Sequence, residues 1–215
     1  MPKVTDEYLT DKRNFILECT NEILKEKPLY QITMRDIIKK AGFSQGAIYR
    51  YYSNLDEIYI DLINKNTPCN ILEHKIDTLL NSKQTEKEIL FECIIALGEY
   101  IEELLKLVGG RTCFELTVFY AYDPEKRATV FPRLRFKQSL EYVQNKFVEY
   151  ALCNVEKGVF HPQIPIDSIM MFVSSFIDGI AQSVATGAAD GNYNTEDISV
   201  MFQTLAMAVI HFIEE

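Results

Sequence analysis

The sequence predicts an all-α protein: an N-terminal domain of three helices, then a larger helical C-terminal domain. Three observations predict it. Apolar residues recur at three- and four-residue spacing along almost the whole chain. Residues 33–52 divide into two short amphipathic segments around Gly42, the pattern of a helix-turn-helix. Breaks in the pattern coincide with Gly and Pro, at Thr67-Pro68, Gly109-Gly110, Asp123-Pro124 and from Gly158 to Pro165.

The first helix spans 10–27, with Ile16, Thr20, Ile23 and Leu24 on one stripe and Phe15 and Cys19 beside it. A connecting helix at 54–66 carries Ile58, Tyr59 and Leu62. It ends at Thr67, because a residue before proline avoids helix. Helices follow at 70–82 and 86–108; the acids Glu92, Glu99 and Glu103 of the second share a solvated face. Residues 111–121 form a short apolar helix, with a strand as the alternative over Thr117–Tyr122. The stripe Phe136, Leu140, Val143, Phe147 and Tyr150 marks a helix at 133–153. Two long apolar helices, 166–186 and 195–213, close the chain around a Gly-rich connection. The resulting domains are 1–53, a connecting helix at 54–67, and 68–215.

Residues 33–52 carry the chemistry. Thr33 stands at an N-cap, and Ile37, Ile38 and Ala41 form the packed face of the first segment. Gly42 stands where a left-handed backbone is needed, Phe43 plugs the corner, and Ser44 caps the second segment. Gly46 and Ala47 are small enough for close approach to phosphates. Ile48 points inward, while Gln45, Tyr49, Arg50 and Tyr51 are free to point outward. Hydroxyls suit phosphate oxygens; amides and guanidinium groups suit base edges in the major groove. Arg35, Lys39, Lys40 and Arg50 face Asp36 alone, so the segment is basic.

The apolar first helix, then ITMRDIIKKAGFSQGAIYRYY, then SNLDEIYIDLI resemble the tetracycline-repressor (TetR) family of bacterial regulators. The resemblance covers residues 10–66. It implies that Thr33, Arg35, Gln45, Ala47, Tyr49 and Tyr51 touch DNA; Ser44, Gly46 and Arg50 join them by their chemistry. Where the family usually has a Lys at the start of the fourth helix, this chain has Leu55, leaving that phosphate contact to Ser53 or Asn54.

Composition bounds the rest. The net charge is −9, yet residues 1–66 hold ten basic and ten acidic side chains; the excess acid lies in the larger domain. An acidic body repels phosphates and disfavours non-specific adhesion. Five scattered cysteines (19, 69, 93, 113, 153), with no C-x-x-C pair, and three separated histidines give no metal-ligand pattern. They fit reduced thiols in a cytoplasmic protein. A start of MPKVTDEYLT and apolar runs shorter than about eighteen residues predict neither secretion nor a membrane span. No nucleophile elbow, phosphate-cradling loop or carboxylate cluster is present, so neither an enzyme nor a cofactor is expected.

In the larger domain, aromatic side chains between 86 and 153 suggest a small-molecule cavity, with Phe91, Tyr100, Phe114, Phe119, Phe136 and Tyr142 as candidates beside Tyr120, Tyr122, Phe131 and Phe147; for each one singly, ordinary core packing is the alternative. Glu115, set among apolar neighbours, requires a partner: Arg111 or Arg133, or a cationic ligand. The helix at 195–213 is apolar on more than one face, so it meets its own core and a second copy. Phe202, Ala206 and Val209, with the small-residue row Ser175, Gly179 and Ser183, are the expected homodimer interface. The expectation is a ligand-responsive repressor, released from a pseudo-palindromic DNA operator by an apolar or cationic effector. The alternative is an all-α binding or assembly protein whose helix-turn-helix does not read DNA.

Overall fold

The computed structural model describes residues 5–68, 70–107, 110–190 and 196–214. Cys69, Gly109 and most of the connection before the last helix lie outside the described residues. Within them, eleven α-helices occur and no strand.

Helix α1 (Asp6–Glu26) starts four residues before the expected residue 10, because the Thr5 hydroxyl caps it, accepting from the Tyr8 amide at 3.3 Å. Helices α2 (Met34–Ala41) and α3 (Gln45–Ile48) form the helix-turn-helix. Helix α4 (Leu55–Asn66) connects to α5 (Ile71–Leu80), α6 (Glu86–Lys106) and α7 (Gly110–Tyr120). Residues 117–120 are therefore helical, and the strand alternative is excluded: the Thr117 hydroxyl donates to the Cys113 carbonyl one turn back, at 2.9 Å.

Two pieces between Asp123 and Leu134 were not legible as elements. Asp123 caps a short α8 (Pro124–Thr129), its carboxylate accepting from the Glu125 and Lys126 amides, and Phe131–Arg133 forms a 3-10 turn. The remaining helices are α9 (Arg135–Glu156), α10 (Ile166–Asp190) and α11 (Glu196–Ile213).

Two hydrophobic cores result. Ile16, Ile23, Ile37, Ile48, Tyr52, Ile58 and Leu62 fill the small one, inside α1 to α4. The larger one gathers α5, α6, α7, α9, α10 and α11, and it also takes Tyr59, Ile60 and Ile63 from α4. Helix α4 thus buries opposite faces in the two cores, and Leu24 and Leu55 touch both. In the larger core α6 packs on α11 and α5, and α7 packs on α10. Gly98 of α6 sets the closest approach: a Cβ there would lie 2.6 Å from the Phe202 Cβ of α11, so only glycine fits.

Candidate nucleic-acid interface and ligand cavity

The helix-turn-helix is braced at each joint. Thr33 and Asp36 form a reciprocal cap: the Asp36 amide donates to the Thr33 hydroxyl at 3.3 Å, and the Thr33 amide and hydroxyl donate to the Asp36 carboxylate at 2.9 and 2.7 Å. The Lys27 ammonium adds a 2.9 Å ion pair. Lys27 first, then Thr33, pulls the Asp36 carboxyl down to about 2. Gly42 adopts φ +67°, the left-handed turn that ends α2. The Ser44 hydroxyl accepts from the Ala47 amide at 3.3 Å and keeps its own proton for an outside acceptor.

Helix α3 spans only Gln45–Ile48 and continues as tight turns to Tyr52, whose amide reaches the Ile48 carbonyl at 3.1 Å. Ile48 and Tyr52, four apart, both point inward. Tyr52 is an anchor that inspection of outward-facing residues misses. Its hydroxyl donates to Asp61 of α4 at 3.0 Å, and the Arg13 guanidinium of α1 lies 4.8 Å from its ring centroid. The i, i+4 spacing from Ile48 was the available signal. Thr33, Arg35, Ser44, Gln45, Gly46, Tyr49 and Arg50 are exposed, while Ala47 and Tyr51 are half-buried. Leu55 packs against both cores rather than facing outward. Asn54 caps α4 through the Glu57 amide at 3.0 Å.

In the larger domain a cavity of about 450 Å³ opens between α6, α9, α10 and the 131–133 turn. A second, of about 370 Å³, lies between α7, α8 and α10. Phe131, Lys137 and Asp178 line both. None of the seven expected ligand residues lines either one. Tyr100, Phe114 and Phe136 are buried core, the last two with ring centroids 6.5 Å apart. Phe91 packs against that core from its edge. Phe119 faces outward beside Tyr30, and the Tyr142 hydroxyl donates to Asp77 at 2.8 Å. Glu115 takes the structural option: the Arg111 guanidinium meets it at 2.7 Å, and the Leu29 amide donates to it at 3.4 Å. Its carboxylate is satisfied by its own chain, so the reason to expect a cationic effector is removed. Phe131 and Phe147, from the same aromatic stretch, do line the larger cavity.

The expected dimer residues separate into two groups. Ser175, Gly179 and Ser183 are exposed, and a Cβ at Gly179 would meet nothing within 4 Å. Phe202, Ala206 and Val209 are instead buried in their own chain's core. The interface expectation for these three is corrected, because that row of α11 is the one turned toward α6. The outward face of α11 carries Val200 and Met207, and that of α10 carries Met171 and Phe172. By length and composition Ile166–Gly187 is apolar enough to cross a membrane, although no unbroken apolar run in it reaches that length. Ser174, Ser175, Asp178, Gln182 and Ser183 interrupt it, and 28% of its most apolar stretch is buried in the chain. Among the described residues no group of three His, Cys, Asp or Glu side chains is placed to hold a metal ion.

Residues 16–62 match the family model described as bacterial regulatory proteins, tetR family. Over 189 residues the chain is 28% identical to an uncharacterised HTH-type transcriptional regulator, YfiR, of Bacillus subtilis, covering 85% of this chain and 84% of that one. It is 22% identical over 166 residues to the HTH-type transcriptional repressor KstR2 of Mycobacterium tuberculosis, 77% of each chain. The KstR2 structure superposes with a TM-score of 0.58 at 19% identity, covering 94% of this chain and 95% of that one. FadR from Bacillus subtilis, in complex with stearoyl-CoA, superposes with a TM-score of 0.52 at 18% identity, covering 93% and 98%. Residues 16–62 thus carry the helix-turn-helix of the tetR family of bacterial regulatory proteins, and the chain as a whole is similar to its regulators in sequence and in helical fold.

Proposed function

We propose that the protein is a ligand-responsive transcriptional repressor, a cytoplasmic homodimer without catalytic activity that binds a pseudo-palindromic operator. Residues 1–53 are the reading domain, 54–67 the connecting helix and 68–215 the ligand and dimer domain. The observation that carries this reading is the exposed set Gln45, Tyr49 and Arg50, on a short helix and the turns that continue it, anchored by Ile48 and Tyr52. Arg35 and the Ser44 hydroxyl serve phosphates, and Gln45 serves a base edge.

The ligand response follows from how α4 is tied. At its far end the Asn64 side-chain amide donates to the Arg133 carbonyl at 2.8 Å, and the Arg135 amide donates to the Asn64 side-chain oxygen at 2.9 Å. Phe131 and Pro132, immediately before, are cavity wall. At its near end Asp56 accepts from the Tyr120 hydroxyl and pairs with Lys126. A ligand that displaces the 131–135 turn therefore pulls on α4, and α4 carries the reading domain. Differential affinity for the two arrangements supplies the energy. The FadR complex with stearoyl-CoA is a precedent for a ligand-bound member of this fold.

Mobility shifts with duplex DNA upstream of the protein's own gene test the reading. Binding weakens steeply with salt, because phosphate contacts release counterions. Arg35→Ala and Tyr49→Ala weaken it without unfolding the protein. Gln45→Ala relaxes base preference by roughly 1–3 kcal/mol. Operator affinity unchanged in all three variants overturns the reading.

A further inference from the structure

Lys137 is a half-buried cation in the larger domain that the repressor reading leaves without a task. It lies where the two cavities meet, and it lines both. Other half-buried lysines sit on carboxylates: Lys27 on Asp36, Lys87 on Glu214, Lys126 on Asp56. Lys137 closes no ion pair among the described residues. Its ammonium rests 5.4 and 5.5 Å from the ring centroids of Phe131 and Phe136. Burial lowers its pKa; the charge of Asp178, and less so that of the buried Cys113, works the other way. A desolvated ammonium without a counter-ion is costly to bury, and two ring faces offset only part of that.

The surroundings give the rest of the ligand its character. Leu97, Val143, Phe147, Met170, Val173 and Ile177 make an apolar wall along one side of Lys137. Glu141 and Asp178 line the same cavity, and both are exposed to solvent. Water screens them more than it screens the half-buried ammonium. On the other side, the second cavity presents Arg127.

Resting on the repressor reading, we propose that the effector is an amphiphile with one anionic head group, its head against Lys137 and its apolar tail along the Leu97–Phe147–Val173 wall. A head larger than a carboxylate extends toward Arg127. The anion gives Lys137 the contact ion pair that Asp178, beyond salt-bridge distance, does not supply, and entry of the tail moves Phe131, where the link to α4 begins.

Calorimetry on the full-length protein, without DNA, compares three probes of equal tail: decanoate, decanol and decyltrimethylammonium, each below its micelle concentration. Decanoate binds about tenfold or more tighter than decanol, the scale of a charge-assisted hydrogen bond. Lys137→Met brings decanoate to the level of decanol, while Lys137→Arg keeps the preference. Equal binding of decanoate and decanol by the unaltered protein overturns the proposal, whether or not the Met variant folds. Tightest binding of the cation overturns it too, as does a folded Lys137→Met that keeps the preference. A separate mobility shift distinguishes the two failures. Intact operator binding with no preference for the anion sinks only the ligand class; a preference for the anion with no operator binding sinks only the repressor reading.

Discussion

Asp36 shows how a single side chain holds the reading head together. It closes the cap with Thr33 and receives Lys27 from the end of the first helix, so one carboxylate ties α1 to α2. Its pKa is depressed in the fold, to about 2, so its stabilising contribution is complete above the ordinary carboxylate range and is lost as pH falls from about 4 toward 2. The difference in melting temperature between the unaltered protein and Asp36→Asn is therefore present near neutrality and closes across that acid window. A difference that persists unchanged at pH about 2 would refute this. The N-caps at Thr33 and Ser44 and the left-handed Gly42 were all legible, because each is a local rule about one residue and its next turn. Tyr52 was not, because its partners Arg13 and Asp61 stand on two other helices, α1 and α4, and meet it only once the three pack. Glu115 was legible as a carboxylate in need, and Arg111, one helical turn before it, met the need.

Among the elements, α4 and α6 carry the most consequence. Asn64 bonds to the 131–135 turn through both ends of its side-chain amide. Asn64→Ala removes that link without touching the reading surface. The variant is expected to keep its operator affinity and to lose most of its release by ligand, as read by titrating ligand into the protein–DNA complex. Release at the original ligand concentration would show that the signal leaves by another route. On α6, Gly98 accommodates Phe202, so Gly98→Ala is expected to cost about 1–3 kcal/mol by overpacking, seen as a lower midpoint in urea. A variant as stable as the original would mean that α11 shifts freely. Helix positions were readable from apolar spacing; facing directions were not. Helix α11 is apolar on more than one face, so periodicity alone could not tell that Phe202, Ala206 and Val209 turn inward while Val200 and Met207 turn outward. The cavity escaped for a related reason. Its walls come from α6, α9, α10 and a turn that carried no helical signal.

For the whole molecule, the outward faces of α10 and α11 leave Met171 at 68% and Met207 at 59% exposure, with the small row Ser175, Gly179 and Ser183 nearby. Among the described residues nothing lies within 4 Å of a Cβ at Gly179, so Gly179→Leu adds bulk on the proposed dimer face without disturbing a described contact. The variant is expected to retain its fold and to become monomeric by light scattering. It loses operator binding, because one reading head holds half a site. A dimer that keeps its operator affinity would place the interface elsewhere. The close seating of Phe202 over Gly98 reaches beyond this one chain. Neither position can change freely while the other stays as it is, so across related sequences the two should drift as a pair. A side chain at 98 should appear only in chains where 202 has shrunk, which would make the contact visible in an alignment with no structure at hand.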